Sequence, residues 1–175
     1  MNHADHVNLL RGGVPAPGGV WADLGSGAGA FTLALADLLG PGAAIYSVDQ
    51  RAGALREQER AMRARFPQTT VHYLAADFTR RLDLPPLDGA VMANALHFVR
   101  DKDPVVRLVR GYLKPGGVFI LVEYDTDRGN PWVPYPLSYT TWEALAKRNG
   151  FAETRLLATR PSRFLGAFFS AASVR

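Results

Sequence analysis

Three aspartates, Asp23, Asp49 and Asp77, each stand at or near the end of an apolar run in the first half of this chain. Asp23 comes just before Gly25-Ser26-Gly27-Ala28-Gly29, a glycine-rich turn that lets backbone approach a ligand and leads into a helix start. Gly25, Gly27 and Ala30 match a dinucleotide spacing, so a nicotinamide or flavin cofactor is one reading. Asp23 argues against it, because a pyrophosphate on the turn would face a carboxylate at short range. A ligand carrying an ammonium would be attracted by the same acid. Asp49 follows Gly29 by twenty residues, the place for a carboxylate that accepts ribose hydroxyls; the plainer reading is a helix cap. Farther on, His97 has the side chain best suited to take a proton near neutral pH, with Asn94 before it to orient an acceptor. A packed histidine and a strand-ending asparagine are the plain alternatives.

Alternating strands and helices must position these groups. Apolar runs and their breaks predict strands over 20–24, 43–48, 70–74, 87–92 and 118–124, with helices over 30–39, 52–65 and 104–113 between them. Gly40-Pro41-Gly42, Pro67, Pro85-Pro86 and Lys114-Pro115-Gly116-Gly117 punctuate them, the last as a tight turn into the fifth strand. Residues 125–139 read as an irregular insertion rich in proline and aromatics, including Trp132, Tyr135 and Tyr139. A capping box at Thr140–Glu143 predicts a helix closing at Asn149-Gly150. A terminal hairpin over 153–159 and 164–174 completes the pattern. Strands separated by helices imply a doubly wound, mostly parallel sheet covered on both faces, with ligands at the carboxyl ends of its strands.

At 175 residues and 47% hydrophobic content the chain suits one α/β domain, with residues 1–19 as a polar leader. No apolar run is long enough to cross a membrane and no signal-peptide layout opens the chain, so the expected compartment is the cytoplasm. The absence of cysteine excludes disulfides, thiolate catalysis and sulfur-ligated metal, and no His/carboxylate spacing suggests another metal site. The net charge of +4 raises the question of nucleic acid. The arginines of 51–65 are interleaved with Glu57 and Glu59 and lack stacking aromatics, which favours a solvated helix face.

Five segments in order resemble the motifs of class I S-adenosylmethionine-dependent methyltransferases. They are Asp23–Gly29, Val48-Asp49, Ala76-Asp77-Phe78, Asp88–Asn94 and Leu113–Ile120. The resemblance spans nearly the whole chain and implies a seven-stranded sheet of order 3-2-1-4-5-7-6 with the last strand antiparallel. It implies S-adenosyl-L-methionine as cofactor, with Asp23, Gly25, Ser26, Gly27, Gly29, Asp49, Gln50, Asp77, Phe78, Asn94 and Ala95 as its binding residues. Asp23 would act on the amino-acid end, Asp49 on the ribose and Asp77 on the adenine amine, beneath a Phe78 shield. Every one of these acceptors has an independent rationale, since the cofactor presents an ammonium, a sulfonium, a diol and an amine.

Methyl transfer is an in-line displacement that mainly needs alignment and exclusion of water. The stretch 93–98 would lie beside the transferred methyl, with His97 as base, Asn94 as orienter, and Tyr124 and the insertion aromatics roofing the acceptor. Ala95-Leu96 stand where amino-methylating nucleic-acid enzymes have a Pro-Pro pair, which weakens that reading. The expected acceptor is a small molecule and the expected state a monomer or homodimer. A noncatalytic cofactor-binding module and a nicotinamide oxidoreductase remain as alternatives; the latter lacks a Tyr-x-x-x-Lys pair.

Overall fold

A computed structural model describes all 175 residues. Helices α1 (His3–Arg11), α2 (Ala30–Leu39), α3 (Ala52–Arg65), α4 (Asp103–Tyr112) and α5 (Tyr139–Arg148) surround seven strands. The strands are β1 (Val20–Leu24), β2 (Ala44–Asp49), β3 (Thr70–Ala75), β4 (Leu87–Ala93), β5 (Leu113–Tyr124), β6 (Glu153–Pro161) and β7 (Ala167–Val174). They form one sheet of order β3-β2-β1-β4-β5-β7-β6. The first five are parallel; β7 lies antiparallel between β5 and β6.

Both faces are covered, as the continuous apolar character of β1 and β4 demands. Trp21, Ile45, Val91, Ile120 and Val122 point to one face, where buried residues of α1, α2 and α3 meet them. Leu24, Val48, Met92, Phe119 and Leu121 point to the other, beneath α4 and α5. The chain order reverses between β1 and β4, opening a crevice at the carboxyl ends of the parallel strands.

Three local expectations are corrected. Residues 1–19 do not form a featureless leader, because they contain α1. Its cap is reciprocal: Asn2 Oδ1 accepts from Asp5 N–H (2.9 Å) and Asp5 Oδ2 from Asn2 N–H (2.8 Å), a box with aspartate in place of the usual glutamate. Val7, Leu9 and Leu10 are buried, and Ser170 donates to Leu9 O (2.5 Å), fastening α1 to β7. Helix α5 begins at Tyr139, with Ser138 as its cap, two residues before the box read at Thr140. The turn at Lys114–Gly117 is drawn into β5, with a register shift opposite Leu87 and Gly89. A short 3-10 turn, Leu96–Phe98, follows β4, which the sequence pattern did not announce.

The insertion is irregular but tied down. Asp127 accepts from the backbone and hydroxyl of Ser138 (2.9 and 2.8 Å), and Asp125 accepts from Tyr139 N–H (2.8 Å). No helix is long and apolar enough to cross a membrane.

Candidate functional site

The loops after β1, β2, β3 and β4 enclose a cavity of about 770 Å³. Gly25, Ser26 and Gly27 form one wall, Asp49, Gln50 and Arg51 the next, Asp77, Phe78 and Thr79 a third, and Asn94, Ala95, Phe98 and Val99 a fourth. The remaining wall comes from α1 and α2, through His6, Ala30 and Phe31.

Close approach shapes the glycine turn. Gly25 has φ +80°, and a Cβ there would lie 2.6 Å from Ala95 Cβ and 3.3 Å from the Phe78 ring. Gly29 caps α2 at φ +89°, where a Cβ would lie 2.3 Å from Gln58 Cγ. Gly29 is therefore a packing residue outside the cavity lining.

The turn's backbone donors are mostly used within the protein. Gly25 and Ser26 donate to Val48 O (2.8 and 2.9 Å), Gly29 donates to Ser26 O (2.9 Å), and Gly27 donates to Asp49 Oδ2 (2.8 Å). A phosphate-binding turn keeps such N–H groups free for its anion. This turn instead fastens itself to β2, which suits a ligand that brings donors of its own. Beneath it, Ser47 Oγ lies 2.7 Å from Ser26 Oγ and 3.0 Å from Gln58 Oε1, a buried polar support absent from the sequence expectations. Ser26 belongs to that support as a turn residue that also borders the cavity.

The acceptors stand around this turn in different ways. Asp49 takes Gly27 N–H on Oδ2 and Arg51 N–H on Oδ1 (2.8 Å each), with the Arg51 guanidinium 3.5 Å from Oδ1, leaving a further lone pair on Oδ2. Asp77 Oδ1 accepts from the Thr79 hydroxyl (2.7 Å) and backbone (2.9 Å), and these bonds lower its pKa, so it is an ionised acceptor at neutral pH. Asn94 adopts φ +53°, a conformation asparagine tolerates better than most residues, and its buried Oδ1 has no partner in the protein. Two flanking carboxylates, an orphaned amide oxygen and a turn with no room for a Cβ fit a donor-rich, cationic ligand such as S-adenosylmethionine.

Asp23 is placed elsewhere. It is buried beneath the turn, outside the cavity lining, and accepts from the Thr32 hydroxyl on Oδ2 (2.6 Å). Burial raises its pKa to about 7, with the charge of Asp49 adding to the rise and Thr32 opposing it. Its direct contact with a ligand amine is therefore not built into this structure.

His97 and Tyr124 also lie outside the lining. The His97 ring is buried in the 3-10 turn, with Nδ1 2.7 Å from Glu123 Oε2. Its backbone N–H donates to the other oxygen of Glu123 (3.2 Å), and its carbonyl accepts from Tyr135 N–H (2.9 Å). Tyr124 packs on Phe168, with ring centroids 4.3 Å apart, and burial keeps its phenol protonated. Trp132, Tyr135 and Tyr139 do not reach the cavity, so the expected aromatic roof is corrected; Phe98, on the turn after β4, is the exposed ring at its rim. Glu123 had one available signal, a carboxylate at the end of a strand otherwise made of apolar residues. His6 had none beyond the Asn2/Asp5 cap.

Known proteins agree with this architecture. Residues 22–119 match the model of the methyltransferase domain family. Acetylserotonin O-methyltransferase of Mus musculus is 33% identical over 166 residues, an alignment covering 81% of this chain and 41% of that protein. The chain thus spans about two-fifths of the length of the curated relatives it matches. A SAM-dependent methyltransferase from Aquifex aeolicus superposes with TM-score 0.75 at 17% identity, over 97% of this chain and 89% of that one. An arsenic(III) S-adenosylmethionine methyltransferase from Chlamydomonas reinhardtii does so with TM-score 0.73 at 18% identity, over 92% and 65%. With the family model covering more than half of the chain and the strand order in agreement, the chain belongs to the class I S-adenosylmethionine-dependent methyltransferases.

Proposed function

We propose that this chain transfers the methyl group of S-adenosylmethionine to a hydroxyl oxygen of a small, uncharged molecule. The observation that carries the reading is the polarity gradient of the cavity. Asp49, Arg51 and Asp77, the Asp and Arg side chains of its lining, follow β2 and β3, whereas the apolar side chains of Phe31, Phe98, Val99 and Met1 lie on the other walls, with His6 and Asn94 as the polar groups among them. A volume of about 770 Å³ is in the range of small-molecule sites. The relative at 33% identity is by its name an O-methyltransferase of acetylserotonin, which supports oxygen as the receiving atom.

When bound, S-adenosylmethionine supplies a methyl already activated by a positive sulfur. The protein's task is placement. Asp49 and Asp77 would hold the nucleoside end through its hydroxyls and amine, Phe78 would cover the ring, and Gly25 would let the chain pass close. Asn94 Oδ1, which lacks a protein partner, would receive a donor near the turn. Phe31, Phe98 and Val99 would exclude water and align the acceptor in line with the methyl–sulfur bond.

Calorimetric titration with S-adenosylmethionine and S-adenosylhomocysteine tests the binding half. Transfer of labelled methyl to acetylserotonin, simple phenols, carboxylates and amines tests the other. Binding with labelled ether product supports the proposal; no binding to the wild-type protein overturns it, and methylation confined to nitrogen overturns the choice of atom.

A further inference from the structure

We infer that His6, carried into the cavity by α1, is the catalytic base that meets the acceptor hydroxyl; this rests on the methyltransferase reading above. The chain has four histidines, and the fold separates their roles. His3 Nε2 is held by Asp37 (3.0 Å). His72 stacks on Tyr46, with centroids 4.5 Å apart, within β2 and β3 and outside the cavity lining. His97 is locked in the interior on Glu123. His6 alone lines the cavity, its ring 4.8 Å from that of Phe31, and no hydrogen bond of the protein engages its nitrogens.

Topology puts it at the correct end. Asp49 and Asp77 follow β2 and β3 on one side of the crevice. Helix α1 packs against α2 and is fastened to β6 and β7, on the other side, through the Leu9, Gly12 and Asp5 contacts with Ser170, Arg155 and Arg160. His6 thus enters the cavity beside Phe31, away from the carboxylates of Asp49 and Asp77 that follow β2 and β3.

The environment also keeps the imidazole neutral. Burial is the largest influence lowering its pKa, and the amino group of Met1, His3 and Arg160 act in the same sense, against the opposing charge of Asp5. A neutral ring at physiological pH has a lone pair to accept a proton. In the transfer, the acceptor oxygen forms its bond to the methyl carbon as the methyl–sulfur bond breaks. Sulfur keeps that electron pair and loses its positive charge, and His6 takes the hydroxyl proton, later released to water.

The decisive comparison uses wild type, His6→Ala and His6→Gln, each first titrated with S-adenosylhomocysteine. Unchanged affinity shows that the variants are folded with the cofactor half intact. In transfer to acetylserotonin or a phenol found in the screen, kcat/KM should fall on the order of a hundredfold or more in both variants, because the amide of glutamine cannot take a proton. The wild-type profile should lose rate below an apparent pKa under 6.5, and that acid limb should vanish in His6→Ala. Independently of turnover, the ring resonances of His6 in isotope-labelled protein loaded with S-adenosylhomocysteine should shift on addition of acetylserotonin or phenol. Ring signals unmoved by both probes, or variants within twofold of wild type in kcat/KM, would overturn the assignment. Failure of wild type to bind S-adenosylhomocysteine would count against the methyltransferase reading instead.

Discussion

Glu123, the penultimate residue of β5, holds residue 97 by two contacts. Its Oε2 lies 2.7 Å from the His97 ring nitrogen Nδ1, and its Oε1 accepts the backbone N–H of the same residue at 3.2 Å. Both side chains are almost wholly buried. The pair fixes the 3-10 turn that presents Asn94, Ala95, Phe98 and Val99 to the cavity. Removing one partner strands the other in the interior, so Glu123→Ala should lose about 3 kcal/mol or more in urea unfolding. A loss below about 1 kcal/mol would show that the pair does not organise this turn.

Asp23 makes stability fall with rising pH. Its folded pKa of about 7 lies above the ordinary value of 3.8, so between those limits the folded state keeps a proton that the unfolded chain has released. Asn at this position cannot ionise and can still accept from Thr32. Asp23→Asn should match wild type near pH 4 and exceed it at pH 8 by up to about 4 kcal/mol. Parallel stability curves across that range would refute the buried-acid account.

Gly25→Ala tests the close approach of the turn to the fourth wall. The added methyl meets Ala95 Cβ and Phe78 at a backbone angle that alanine disfavours. Affinity for S-adenosylhomocysteine should drop at least tenfold, with the circular dichroism of the sheet and helices retained. Equal affinity would mean that the ligand does not lie against this turn.

Asp49 and Asp77 should differ in how they fail. Asp49 braces Gly27 and the start of α3 as well as facing the cavity, so Asp49→Ala should reduce both melting temperature and cofactor affinity. Asp77 takes its hydrogen bonds from neighbouring loop residues, chiefly Thr79 two residues on, so Asp77→Ala should weaken binding with little change in melting. Thermal melts with and without S-adenosylhomocysteine separate the two outcomes, and a large intrinsic melting loss in Asp77→Ala would contradict this division.

Much of the architecture was legible because its signals are local. Apolar runs of five to seven residues with an aspartate at or near an end, and the Gly-Pro-Gly and Pro-Pro breaks, mark strands and helices without reference to distant parts of the chain. The end of α1 was less visible because its cap is completed by aspartate and its short apolar stripe is interrupted by histidines and Asn8. The expected turn at Lys114–Gly117 became strand because Leu113 pairs with Leu87 on β4, a partner more than twenty residues away.

Sequence by itself determined the alternation of strands and helices and the set of strand-end loops that meet at the crevice, and the order of five motifs determined the family whose resemblance implies the sheet order, since periodicity and motif order are properties of the chain as a string. Only the tertiary structure decided which side chains of those loops face the ligand space. Asp23 and His97 turn inward because Thr32 and Glu123, supplied by other elements, offer hydrogen bonds that compensate their burial. His6 turns outward because α1 docks on α2 and β7 with its apolar face, leaving the imidazole against Phe31 at the rim of the cavity. The choice between a histidine that packs and a histidine that reacts depends on contacts between residues far apart in the chain, which no local pattern carries.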